Sequence, residues 1–144
     1  MVFSTGLNTT AVLDGFTITG GNAAPSGGGM LNIQSSPTIA NCTFSENTGY
    51  NGAGMYNQTS SSPQLINCIF TGNTGYNGAG MYNIGASSPT LTNCSFSANA
   101  AANNGGGMYN GNASSPALIN CSFSGNAAVN GGGMCNNSIF AHPH

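Results

Sequence analysis

The sequence predicts an all-β protein folded as a parallel β-helix, a solenoid of about five coils of 25–27 residues with three short strands each. Two observations lead to this prediction. The hexapeptide "GAGMYN" occurs at residues 52–57 and again at residues 78–83, and cysteine, phenylalanine, proline and methionine recur at about the same interval. Short alternations of apolar and polar residues lie between clusters of turn-forming residues, as strands do. A fixed period of this length is the signature of stacked structural repeats.

The cysteines set the period. Successive cysteines are 26, 26 and 27 residues apart, at Cys42, Cys68, Cys94 and Cys121. A degenerate first copy precedes them, because "VLDGFTITGGN" places Leu13 26 residues before Ile39. Phe3 precedes Leu13 by ten residues, the interval that also separates Met81 from the leucine of its own coil. We therefore expect a single domain over residues 1–144, with coils starting near residues 2, 30, 55, 81 and 108, a partial coil from residue 134 and a frayed tail over 137–144.

Each unit contains three strand-sized pieces. In "MYN", "PTLT" and "CSF", apolar and polar residues alternate with the period of two that a strand imposes. In the first piece we expect Met81 to point into the rod, Tyr82 to point out and Asn83 to point in. The preceding glycines allow a tight turn with positive φ. Identical residues recur because each one stacks on its counterpart in the next coil, about 4.8 Å away.

Two kinds of column are expected in the rod. The apolar columns consist of leucine or isoleucine (residues 39, 65, 91 and 118), cysteine, phenylalanine and methionine. Cysteines stacked in register point the same way, which is poor geometry for a disulfide, so we predict buried, reduced thiols. The corner between the second and third strands carries a column of asparagines, Asn41, Asn67, Asn93 and Asn120. We expect these amides to be buried and to hydrogen-bond along the rod.

The repeat motifs resemble those of a known class of proteins. The tetrapeptides "FSEN", "FTGN", "FSAN" and "FSGN", paired with "GGGM" or "GAGM", are similar to the FxxN and GGA-[ILV] repeats of the polymorphic outer-membrane protein passengers. More broadly, residues 2 to about 136 resemble the right-handed parallel β-helix repeats of bacterial surface proteins and of the pectate-lyase-like fold. The resemblance implies a right-handed solenoid that is secreted or displayed at the cell surface and is often adhesive or structural.

Charged residues are almost absent. The chain has no lysine or arginine, and Asp14 and Glu46 are its only carboxylate side chains. Basic side chains are needed to bind nucleic-acid phosphates and to dock on anionic membrane. No run approaches the roughly 18 apolar residues of a membrane-spanning helix. We therefore expect neither a nucleic-acid partner nor membrane insertion.

No catalytic site, metal site or cofactor is predicted, and the chain is predicted not to be an enzyme. Asp14 and Glu46 fall on different parts of the cross-section, whereas a glycosidase needs its two carboxylates within about 10 Å. The methionine and cysteine columns could suggest a soft-metal site, but core packing is the interpretation we adopt. His142 and His144 are expected to belong to the frayed tail.

Two outward surfaces could bind a ligand. Hydroxyl side chains form a predicted face on the third strand, at Thr17, Thr19, Thr43, Ser45, Thr71, Ser95, Ser97, Ser122 and Ser124. This face resembles the ranked T-x-T surfaces of ice-binding β-solenoids. A predicted aromatic ladder, Tyr56, Tyr82 and Tyr109, could stack against sugar rings, with Tyr50 and Tyr76 in a neighbouring loop.

The main functional hypothesis is a structural, extracellular or cell-surface solenoid that assembles with itself. The chain begins and ends on the same type of strand, so copies could stack head to tail into filaments or a surface layer. The predicted end-stacking interface consists of Phe3, Leu13, Met134 and Cys135. The alternative is an ice-binding or glycan-binding, adhesive module that uses the hydroxyl face or the tyrosine ladder.

Overall fold

The structure, a computed structural model, describes residues 1–137, so the predicted tail beyond Asn137, with both histidines, lies outside the described residues. It contains twenty short strands in four parallel sheets. The first sheet comprises β1 (Val2–Thr5), β5 (Met30–Ile33), β9 (Met55–Gln58), β13 (Met81–Asn83), β17 (Met108–Gly111) and β20 (Met134–Asn137). The second comprises β2 (Val12–Asp14), β6 (Thr38–Ala40), β10 (Gln64–Ile66), β14 (Thr90–Thr92) and β18 (Ala117–Ile119).

The third and fourth sheets complete the cross-section. The third comprises β3 (Thr17–Thr19), β7 (Thr43–Ser45), β11 (Ile69–Thr71), β15 (Ser95–Ser97) and β19 (Ser122–Ser124). The fourth comprises β4 (Asn22–Ser26), β8 (Thr48–Asn51), β12 (Thr74–Asn77) and β16 (Ala100–Asn104). The predicted solenoid of about five coils is confirmed, but the prediction of three strands per coil is wrong, because the stretch treated as a loop is a fourth strand.

Every strand pairs in parallel with the equivalent strand of the next coil. Met81 lies opposite Met55 on one side and Met108 on the other, and Phe70 lies between Phe44 and Phe96 in the same way. Strands of three to five residues therefore extend into sheets that run the length of the rod, with neighbouring strands about 4.8 Å apart.

The core consists of the predicted apolar columns. In the inner coils, the leucine or isoleucine, cysteine, phenylalanine and methionine side chains are at most 2% exposed. The phenylalanine rings stack face to face, with centroids 4.8, 4.6 and 4.7 Å apart from Phe44 through Phe123. Offset stacking of this kind adds about 0.5–1.5 kcal/mol per pair to the burial of the rings.

The first coil departs from the predicted alignment by one residue. Val2, not Phe3, lies opposite Met30 in the inward column. Phe3 lies opposite Leu31 and is 57% exposed. Eleven residues separate Val2 from Leu13, against ten between Met81 and Leu91, because the connection between the first two strands varies in length. The spacing rule that selected Phe3 therefore fails in this coil.

Four columns of asparagine amides run along the rod. The corner column Asn41, Asn67, Asn93 and Asn120 is linked by hydrogen bonds of 3.1–3.3 Å, and each amide donates to the coil before it. The expectation that this column is buried is wrong, since all four side chains are exposed and have φ of 51–54°. Asparagine tolerates this left-handed backbone better than other residues, so the corner turns outward. Asn41 Nδ2 completes the column by donating to Asp14 Oδ1 at 2.8 Å.

The buried amide columns lie elsewhere. In the first sheet, each amide donates to the coil after it, through Asn32, Asn57, Asn83, Asn110 and Asn136. Between the third and fourth sheets, each amide also donates to the coil after it, through Asn47, Asn73, Asn99 and Asn126. A half-buried to exposed column lies at the end of the fourth sheet, and its amides donate to the coil before, through Asn51, Asn77, Asn104 and Asn130.

The "SSP" motif closes the turn between the first and second sheets. The first serine is buried, and the Ser61 hydroxyl accepts a 3.0 Å hydrogen bond from the backbone N–H of Ser35 in the coil before. The hydroxyl of the second serine accepts instead from the coil after it: Ser36 Oγ accepts a hydrogen bond from the backbone N–H of Ser62. These contacts recur in later coils and satisfy turn backbone groups that would otherwise cost free energy.

Ser4 interrupts the buried column of the first sheet, and this predicts a stabilising substitution. Ser4 lies opposite Asn32, and Asn32 Oδ1 is buried without a hydrogen-bond partner among the described residues. Ser4→Asn would place an amide donor where every later coil has one. We expect the free energy of unfolding to rise by about 1 kcal/mol and the melting temperature by roughly 3 °C, measured by thermal circular dichroism.

Ser4→Ala is the matched control. It removes the hydroxyl that contacts Ser35 Oγ without supplying an amide, and it should lower the melting temperature. A Ser4→Asn protein that melts at or below the temperature of the unmodified chain would show that the unpaired oxygen of Asn32 is not a weakness.

Candidate functional site

The hydroxyl face exists as two registered columns. Thr17, Thr43, Ile69, Ser95 and Ser122 lie opposite one another in the third sheet. The second column consists of Thr19, Ser45, Thr71, Ser97 and Ser124. The hydroxyl side chains of the middle coils are half-buried, Ile69 is exposed, and Ser97 Oγ donates to Thr71 Oγ1 at 3.0 Å. The face is flat and uncharged, but Ile69 interrupts it and serine fills most of the C-terminal half.

The predicted tyrosine ladder is registered but poorly accessible. Tyr82 and Tyr109 stack with centroids 4.8 Å apart, while Tyr56 meets Tyr82 edge to face. Tyr82 and Tyr109 are only 8% and 9% exposed, so they offer little surface to a ligand. Burial, together with smaller contributions from the adjacent Tyr109 and Tyr56, raises the pKa of Tyr82 to about 12. Of the three ladder residues, only Tyr56 is half-buried and so offers appreciable surface to a ligand.

The exposed tyrosines are the two that the sequence analysis placed in a loop. Tyr50 and Tyr76 lie on β8 and β12, are 51% and 40% exposed, and stack with centroids 4.7 Å apart at 11°. They border a shallow groove of about 360 Å³ on the fourth sheet. The sequence signal for this surface was the repeated "TGYN", in which Thr and Tyr alternate with a buried or half-buried glycine.

The cysteine column consists of thiols. All five cysteines are free, and Cys42, Cys68 and Cys94 are buried. Each column thiol donates to backbone carbonyl oxygens; Cys42 Sγ, for example, lies 3.1 Å from the carbonyl oxygen of Ala40. The contact with Cys68 together with burial raises the pKa of Cys94, and burial raises that of Cys121. A raised pKa favours the unreactive thiol form. Cys135 is half-buried on the outward position opposite Tyr109.

The two carboxylates do not form a pair. Asp14 ends β2 and accepts the hydrogen bond from Asn41. Glu46 lies exposed at the corner after β7, with φ of 53°. The strand that separates these two corners has three residues and spans about 10 Å at 3.3 Å per residue. Over residues 1–137 no group of three or more His, Cys, Asp or Glu side chains is placed to hold a metal ion.

The end coils expose part of the core. At the N-terminal end, Val2, Leu13 and Ile18 are only partly buried against the core, and Phe16 is 58% exposed. At the C-terminal end, Cys121, Phe123 and Met134 are likewise partly buried, and Leu118 is 36% exposed. Of the predicted stacking residues, Leu13 and Met134 thus belong to the core columns. Phe3 and Cys135 lie on the outward side of the first sheet.

Comparison with known proteins supports the fold. The family model described as right handed beta helix region matches residues 3–100 and, in an overlapping match, residues 30–141. No curated protein and no solved structure matches the chain significantly. The described residues contain no helix long and apolar enough to cross a membrane. The right-handed β-helix predicted from the repeats is confirmed, and the chain belongs to the right-handed β-helix family.

Proposed function

We propose that the chain is a structural solenoid of the cell exterior or cell surface that assembles with copies of itself through its end coils. The observation that carries the proposal is the uniformity of the coil-to-coil interface. Coils along the rod pair through the same registered strands of the first three sheets and continue the same apolar columns, so the two end coils offer each other similar surfaces. The core columns are left partly uncovered at one end of the rod at Leu13 and Ile18, and at the other end at Leu118 and Phe123.

The near absence of charge supports this proposal. A net charge of −2 over 144 residues provides little electrostatic repulsion between copies. Open strands at the end of a sheet also present unpaired N–H and C=O groups, which pair readily with another chain. The extracellular location is supported by the resemblance to surface-protein repeats.

Stacking has one geometric requirement. The first sheet has six strands and the second and third have five. A copy added at the C-terminal end would therefore meet β20 with its own β1. One of these two strands must be displaced before the other sheets can pair. A chain ending at Gly133 has five strands in the first sheet and is expected to assemble at lower concentration than residues 1–144.

The absence of catalytic activity is part of the proposal. Right-handed β-helices carry diverse functions, so the fold does not decide the matter. Asp14 is engaged with Asn41, and Glu46 belongs to a different corner, so neither has a carboxylate partner. Ice binding is supported less well, because the hydroxyl columns contain Ile69 and are mostly serine beyond it. Serine lacks the methyl group of threonine.

End stacking predicts that assembly responds to charge at an end coil but not on a side. We expect residues 1–144 to form rods longer than the roughly 25 Å of one chain, seen by negative-stain electron microscopy and sedimentation. Leu118→Lys should prevent this, because it buries an unpaired charge in the stacked interface. Ile66→Lys is the matched control, since Ile66 is 40% exposed on a middle coil. Monomers at all concentrations, or equal assembly of both variants, would refute end stacking.

A further inference from the structure

We propose that the groove beside Tyr50 and Tyr76 binds a neutral glycan chain that lies along the rod axis. This binding site is on the side of the rod and is independent of end stacking. Its lining comes from four successive coils, with Asn22 and Ala24 in the first, Tyr50 and Tyr76 in the middle two and Ala102 in the fourth. Three coil-to-coil steps span about 14 Å, enough for several sugar rings but not for a folded protein domain.

The tyrosine stack is left open at both ends. In the flanking coils the strand register shifts, so that β4 and β16 each place an extra residue against the regular strands β8 and β12. These bulges put Ala24 beside Tyr50 and Ala102 beside Tyr76. Neither flanking coil supplies a third ring to continue the stack, because Ala24 and Pro25 lie against Tyr50, and Ala102 and Asn103 lie against Tyr76. Bulges of this kind are concentrated near functional sites, where they redirect the chain.

The chemistry of the groove indicates a sugar. An aromatic face carries negative partial charge and attracts the positively polarised C–H groups on the face of a pyranose ring. On the same outward face, two residues before each tyrosine, the exposed Thr48 and Thr74 supply hydroxyl groups, and Asn22, which lies opposite Thr48, supplies an amide. These groups can hydrogen-bond to sugar hydroxyls. Gly49 and Gly75 lie between the threonine and the tyrosine of each strand and form the floor of the groove.

The groove has no charged residue in its lining, which favours a neutral ligand. The chain has no lysine or arginine to pair with a carboxylate or sulfate group. Asp14 and Glu46 are not among the residues that line the groove. A desolvated anion would therefore have no counter-charge, and acidic polysaccharides are disfavoured.

Isothermal titration calorimetry would test the site with two neutral probes, cellohexaose and maltohexaose, and an anionic one, a hyaluronan hexasaccharide. We expect at least one neutral probe to bind and the anionic probe not to bind. The double variant Tyr50→Ala/Tyr76→Ala should weaken binding about tenfold or more, whereas Tyr76→Phe, which keeps the ring, should retain it. Ala102→Phe should also weaken binding, because its ring would occupy the open place in the stack.

Circular dichroism and melting temperature would verify that each variant is folded, and Tyr56→Ala provides a control tyrosine outside the groove. The proposal is overturned if neither neutral probe binds, if the hyaluronan probe binds as tightly, or if the double variant binds unchanged. It is also overturned if the double variant loses only lateral association of rods in sedimentation, since the tyrosine pair would then contact a second copy. None of these results would decide whether rods assemble through their ends, which is tested separately.

Discussion

Replacing Gly80 by alanine should cost about 3–5 kcal/mol of unfolding free energy, by overpacking and by loss of a backbone hydrogen bond. A Cβ at this position would lie 2.4 Å from the carbonyl oxygen of Gly107 and 2.9 Å from Phe96 Cδ1. The same carbonyl accepts the hydrogen bond of the Met81 N–H at 2.9 Å. The methyl group therefore forces two coils apart where a ladder bond joins them. Chemical denaturation followed by circular dichroism would measure the loss as a lower midpoint.

Gly72→Ala is the matched control for the glycine substitution. Gly72 has φ of 64°, but the nearest atom to an added Cβ is Glu46 Cγ at 3.7 Å. Ala98 already occupies the equivalent position one coil later, with φ of 53°. Only the backbone strain of about 1–2 kcal/mol is expected. Equal losses for the two variants would mean that the close approach of coils at Gly80 is not what requires glycine.

Replacing Asn73 by alanine should destabilise the rod by a similar amount, about 3–5 kcal/mol. Asn73 Nδ2 donates to the carbonyl oxygen of Phe44 and to Asn99 Oδ1, both at 2.9 Å. Its Oδ1 accepts from the backbone N–H and from Nδ2 of Asn47, both at 3.1 Å. The side chain is completely buried, so its former partners lose hydrogen bonds where water cannot replace them, at about 1–3 kcal/mol per unsatisfied group.

A surface amide gives the comparison that isolates burial. Asn67→Gly removes an amide from the exposed corner column while keeping the positive φ of 54° that Asn67 adopts. We expect a loss of no more than about 1 kcal/mol. Denaturation midpoints of Asn73→Ala and Asn67→Gly, measured under the same conditions, would show whether burial of the amide makes the difference. If Asn73→Ala is no more destabilised than Asn67→Gly, the buried amide column contributes little to stability.

The sequence was sufficient to predict the solenoid and its core columns. Large apolar residues in a fixed period leave few other ways to bury themselves, and Phe44, Phe70 and Phe96 stack as their spacing predicts. The fourth strand was missed because it lacks a large apolar inward residue: the inward position is glycine in β8 and β12 and alanine in β4 and β16. The interior is narrow there, since a Cβ on Gly49 would lie 3.1 Å from the backbone nitrogen of Gly28. Glycine at the inward position hides the strand from any pattern of hydrophobic alternation.

The candidate binding surfaces were harder to predict for a related reason. Alternation correctly placed Tyr82 and Tyr109 on the outward side, but it does not report what lies beside them. The end of β17 itself lies close to the Tyr109 ring, since a Cβ on Gly111 would lie 2.9 Å from Tyr109 Cε1. Exposure of Tyr50 and Tyr76 depends on the fourth strand and on the bulges beside it. Neither the fourth strand nor the bulges can be recognised from the pattern of one sequence.

The amide columns also determine the electrical character of the rod. In the columns that begin at Asn32 and Asn47, each amide donates to the following coil, so the amide dipoles point in one direction along the axis. The other two, headed by Asn41 and Asn51, carry dipoles in the opposite direction. Their moments oppose each other and do not accumulate as coils are added. A rod with almost no ionic side chains can therefore lengthen without building up unbalanced partial charges at its ends, and Asp14 stands where the corner column presents its terminal amide donor.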